Sequence, residues 1–205
     1  MRDLDQALTD ISAIREQLAR GSEFRGYGPA TLALTGALAL ALASLQSYWL
    51  IEHALSTDAY LQQWILTAAA SLLIVAIETI TRSRRAHGAL ALPLLQSAVE
   101  QFLPAIVAGA LLTLVVQRVA PQVVWMLPGL WQIIFSLGVF ASCRVLPRPV
   151  FAVGVWYLVS GLTCLWAAGP LQPLSPWAMG IPFGIGQILV ALSLRAQPRV
   201  ARHDE

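Results

Sequence analysis

Charge is the scarcest commodity in this sequence. Of its 205 residues, 12% are Asp, Glu, Lys or Arg, about half the ~25% usual for a soluble domain. Lysine is absent: all 13 basic residues are arginine, which we read as the bias of a GC-rich genome rather than as chemistry. The formal net charge of +2 is too small to imply a polyanionic partner, so no nucleic acid is expected. Cysteine is nearly absent. Cys143 and Cys164 give neither a disulfide framework nor zinc-ligand spacing.

The absences within the apolar stretches matter most. Those stretches contain no Asp and no His. A paired-aspartate protease, an acidic magnesium site and bis-histidine haem ligation are therefore not expected. No His-Glu-x-x-His, no Gly-x-Ser-x-Gly and no Walker lysine occurs. The sequence reads as non-enzymatic, with no catalytic residue, no cofactor and no metal.

What is present is apolar: 57% hydrophobic residues and a mean hydropathy of +0.67. Lipid is the solvent such a chain needs. The expected fold class is all-α, an integral membrane bundle of six transmembrane helices with an N-terminal cytoplasmic amphipathic helix.

Residues 1–20 carry Leu4, Leu8, Ile11, Ile14 and Leu18 at helical spacing. They form the amphipathic helix, lying on the membrane surface, on a partner or on the bundle itself. Residues 21–29 are a Gly-rich linker. An n-region of that length carrying acids is unlike a cleaved signal peptide. Residues 30–195 are the transmembrane domain, with spans at about 30–49, 61–81, 102–119, 123–143, 150–168 and 177–194. Residues 196–205 are a cytoplasmic tail.

The third span is ambiguous. Residues 89–120, as one helix, would be ~48 Å long, against a ~30 Å hydrocarbon core. A separate interfacial helix over 89–100 is favoured over one long, tilted helix kinked near Pro104.

Six spans with an internal N-terminus put every arginine except Arg118 on one side, a strong positive-inside pattern. Trp49, Trp64, Trp125, Trp166 and Trp177 then fall at the other face as an aromatic belt. The expectation is a multi-pass protein of the bacterial inner membrane with both termini cytoplasmic.

Polar residues near or within the spans are the candidates for function, because lipid makes them expensive. Glu78 can pair with Arg82 one turn on. Glu100 and Gln101 precede Pro104; in a long helix Glu100 would reach the core and suit a proton or cation, and otherwise it is solvated. Arg118 either snorkels to headgroups or guards a vestibule for an anion. Gln132 and Gln187 either glue helices or line a cavity. Pro182 and Gly184, with Gly180 and Gly186, suggest a broken sixth helix, or alternatively a small-xxx-small packing face. Leu103-Pro104 and Ile181-Pro182 open similar runs ending at Arg118 and Arg195, a faint inverted repeat of the transporter kind.

Three stretches also carry a resemblance: LDQALTDISAIREQLARGSEFRGYGPATLA, LPGLWQIIFSLGVFASCRVLPR and SPWAMGIPFGIGQILVA. They resemble an uncharacterised family of small bacterial six-span inner-membrane proteins, often encoded near winged-helix regulator genes. The resemblance implies a bacterial membrane protein in a regulatory context and carries over no site residues. The expected partners are the lipid bilayer and a protein, or a second copy, met through the spans and the N-terminal helix. The functional expectation is a partner-binding module, a complex subunit or sensor. The alternative is a small transporter or channel with its site near Glu100 and the sixth helix.

Overall fold

The computed structural model describes residues 28–52, 56–85, 91–143, 149–169 and 174–195. The amphipathic segment 1–20, most of the linker and the tail 196–205 lie outside the described residues.

Capping explains where the helices begin. Proline fixes φ near the helical value and lacks a donor that a first turn cannot use. Helix α1 (Pro29–Glu52) starts on Pro29. A 3-10 segment (Pro121–Met126) starts on Pro121, and α4 (Leu127–Ser142) has Pro128 in its first positions. Pro149 caps α5 (Val150–Ala167). Pro176 precedes α6 (Trp177–Arg195), and its carbonyl accepts from Gly180 N at 3.0 Å. Helix α2 (Thr57–Arg85) is capped differently: Ser56 Oγ accepts from Ala59 N at 3.2 Å, and Asp58 sits in the positive first turn.

The third helix, α3 (Ala91–Val119), corrects a sequence expectation. It is one unbroken helix with Pro104 inside, not a separate interfacial helix followed by a span. Its apolar portion is Glu100–Val119. Nothing between Ala91 and Glu100 stops it, because Pro93 falls in the first turn, where proline is tolerated.

All the described elements are helical. Five stretches are long and apolar enough to cross a membrane: Pro29–Trp49, Thr57–Thr81, Glu100–Val119, Pro121–Ser142 and Val150–Ala167. The apolar part of α6, Trp177–Ser193, is shorter. The chain is a multi-pass helical membrane protein.

Glycine sets the helix pairing. A Cβ on Gly129 of α4 would lie 2.8 Å from Gly161 O of α5, and a Cβ on Gly161 the same distance from Gly129 O. Only the missing side chains let these backbones approach so closely. Helix α3 packs antiparallel on α4, with Phe102 and Ala105 against Gly138, and Trp131 Nε1 donating to Thr113 Oγ1 at 2.8 Å.

Helix α1 packs chiefly on α6, also antiparallel. Gly36 faces Gly184, whose own open side receives Leu40, and Gly180 faces Ala39 and Ala43. Helix α2 lies at the side, touching α1 and only slightly α3. A buried apolar cluster gathers Ala39, Ala43, Tyr60, Leu61, Trp64, Val116, Val124, Leu127 and Met179 at the end of the bundle nearest Trp49.

Candidate functional site

The middle of the bundle is filled by rings. Phe102 of α3, Phe135 of α4, Tyr157 of α5 and Phe183 of α6 form one aromatic cluster. Phe135 stands 5.1 Å from Phe102, 4.7 Å from Tyr157 and 5.4 Å from Phe183, centre to centre, in edge-on arrangements. Such geometries suit the ring quadrupoles. Four helices thus share one apolar junction.

Beside it lies the answer to the proline in α6. Helix α6 runs unbroken through Pro182 and Gly184, where the sequence suggested a break. Proline at 182 has no N–H for the carbonyl one turn earlier, that of Ala178. Gln132 Nε2 donates to Ala178 O at 2.8 Å, and to Pro128 O at 3.1 Å. Gln132 is fully buried. An amide from α4 therefore replaces the bond that the proline removed. Trp156 Nε1 adds a second clamp, donating to Pro182 O at 3.0 Å. Gly184 packs on Leu40, so it serves helix contact.

The other candidates are scattered. Glu100 is exposed on α3 where its apolar portion begins. Gln101 beside it is half-buried. Arg118 is exposed in the last turn of the same helix, where a cation complements the dipole. Eighteen residues separate Glu100 from Arg118, about 27 Å along a helix, so they cannot share a ligand. Pro104 is also exposed and breaks nothing. Gln187 is half-buried, with its Cβ side against Gly36. Glu78 is half-buried, and its carboxylate lies against Gly28, the residue before α1. A carboxylate there is favoured by the positive end of the α1 dipole. The Arg82 side chain, its expected partner, lies outside the described residues.

Trp64 is a further correction. It is 3% exposed rather than displayed at the membrane surface, whereas Trp49, Trp166 and Trp177 are exposed. The reason is a polar partner: its indole N–H donates to Gln46 Oε1 at 3.0 Å. Gln46 Nε2 in turn donates to Gln63 Oε1 at 2.7 Å. Nearby, Tyr60 OH donates to Ser175 O at 3.1 Å, tying α2 to the segment before α6. A pocket of about 240 Å³ opens here, lined by Leu45, Gln46, Trp49 and Gln63.

Sequence reasoning passed over this group. Its signal was a single glutamine, Gln46, near the end of the first apolar run, facing a Gln62-Gln63 pair across a short connection.

Cys143 and Cys164 are both free thiols. The Cys143 Sγ donates to Val139 O at 3.3 Å. Among the described residues no three His, Cys, Asp or Glu side chains gather as metal ligands would. Comparison with family models, with curated proteins and with solved structures gives no match, so no family is identified.

Proposed function

We propose that this chain is a non-enzymatic membrane module that binds a protein partner, as a subunit of a complex or a sensor. One observation carries the reading. The polar group best placed at the centre, Gln132, donates to Ala178 O of α6, and four rings pack together at the junction of α3, α4, α5 and α6. A translocation path would need that space and those donors. The amphipathic pattern of residues 1–20 supplies a surface for the partner. The arginine distribution supports a bacterial inner membrane with both termini cytoplasmic.

The test is flux. The full chain is reconstituted in liposomes holding a pH-sensitive dye, under an imposed potential. The expected result is a leak equal to that of empty vesicles. A proton flux that disappears in Glu100→Gln would overturn the reading. In parallel, crosslinking in native membranes should capture a partner with the full chain and lose it when residues 1–20 are deleted.

The alternative, a small transporter or channel, has a specific observation in its favour. Gln132 Oε1, Tyr157 OH and Gln187 Oε1 are buried without a hydrogen-bond partner among the described residues. Buried polar atoms are usually satisfied, and a polar substrate or ion could serve them.

A further inference from the structure

We infer that the pocket between α1 and α2 binds an oxygen acceptor of a membrane lipid, an ester carbonyl or a phosphodiester. The inference is independent of the partner-binding reading.

The polarity of the pocket is fixed by one atom. An indole N–H can only donate. Trp64 Nε1 donates to the Gln46 side chain at 3.0 Å, so the atom it meets must be the Gln46 carbonyl oxygen. That choice turns the Gln46 amide nitrogen toward Gln63. A nitrogen donor requires an oxygen in front of it, so Gln63 must present Oε1. The amide nitrogen of Gln63 is then left for the pocket, and no described residue accepts from it. The usual ambiguity of amide orientation is absent along this chain of bonds. Both glutamines line the pocket. Gln46 is almost wholly buried with both amide atoms engaged, so the Gln63 amide N–H is the donor left for a ligand. The fitting ligand therefore presents an accepting oxygen to that N–H.

Depth argues for lipid. The charged residues Glu52 and Asp58 mark the polar ends of the two helices. Glu52 lies six residues beyond Gln46, and Asp58 five before Gln63, about 9 and 7.5 Å along the helix axes. The pocket thus sits just below the charged layer, at the level of the lipid glycerol esters and phosphodiesters. Its other walls match an amphiphile. Leu45 is 55% exposed, and Trp49 offers an indole, a side chain suited to that interface.

The experiment uses the full chain in detergent at pH 8. Dioleoyl phosphatidylglycerol is titrated into the micelles, and the rise in melting temperature gives a half-saturation point. The key variant is Gln63→Glu. Its carboxylate still accepts from Gln46 Nε2, so the Trp64–Gln46 bonds persist, while the face toward the pocket changes from donor to acceptor. We expect the lipid-free melting temperature to hold and half-saturation to weaken about tenfold, the loss of one good hydrogen bond. Gln63→Met, with neither donor nor charge, should weaken it similarly and covers the case of a misfolded Gln63→Glu. The diether analogue separates the two lipid oxygens: retained binding assigns the phosphodiester, lost binding the ester carbonyl. Inorganic phosphate alone should give no shift; an equal shift would overturn the lipid source. Saturation identical in wild type, Gln63→Glu and Gln63→Met would overturn the site.

Discussion

Helices α4 and α2 are similarly apolar and differently used. In an apolar 18-residue window of 121–142, 44% is buried within the protein, against 11% in such a window of 57–81. Hydropathy cannot separate them, because lipid and a helical neighbour are equally good solvents for leucine. Glycine does separate them. Helix α4 holds Gly129 and Gly138, each filled by a neighbouring helix. Helix α2 has no glycine and exposes Leu66, Leu72, Leu73 and Ile77. Its fixed points are polar instead, at Trp64, Tyr60 and Glu78. One helix is held by shape along its length, and the other by a few bonds near its ends.

The strongest way to break this contrast is to enlarge a glycine on the α4 interface. Gly161→Leu forces a side chain against Gly129 O and Ile133. We expect a loss of about 3 kcal/mol or more, or no folded protein at all, measured by steric trapping in bicelles. The matching change on α2, Ala69→Leu at an exposed position, should stay within about 0.5 kcal/mol. Similar losses at both sites would refute the distinction.

A finer test concerns the bond that straightens α6. Gln132→Leu leaves Ala178 O unpaired and should cost about 1–2 kcal/mol. Pro182→Ala restores the backbone donor, so in that background the same change should cost less than about 0.5 kcal/mol. Equal costs in both backgrounds would show that Gln132 acts elsewhere.

Thr113→Val removes the acceptor for Trp131 Nε1 between α3 and α4. Its cost should be about 1 kcal/mol, near the ordinary worth of one such bond. Smallest of all should be Leu73→Ala on the exposed face of α2, within about 0.5 kcal/mol by the same assay, because lipid fills what the side chain leaves.

The sequence made some of this readable. Apolar runs gave the helices and prolines their starting points, since both signals are local. The pairing of α1 with α6 was not readable, because one Gly/Ala stripe looks like another until geometry selects its mate. The continuity of α3 was missed for a related reason: Gln96, Glu100 and Gln101 lower the local hydropathy without interrupting a helix. Gln132 stands out in the sequence as an amide inside an apolar run, yet the bond it makes depends on a proline 50 residues later. Glu100 and Arg118 drew attention as charges, and the structure places both on the outside of one helix.

The α1–α6 contact has a consequence for biosynthesis. Helix α1 leaves the ribosome well before α6, its main partner. While the helices between them are being inserted, α2 can already pack on α1, but the face of Gly36, Ala39 and Ala43 that receives α6 has only lipid or foreign helices to meet. The bundle can close only when Gly180 and Gly184 arrive. An insertase or chaperone guarding nascent spans would have its longest task here, and a ribosome stalled before Trp177 would leave the first span without its mate.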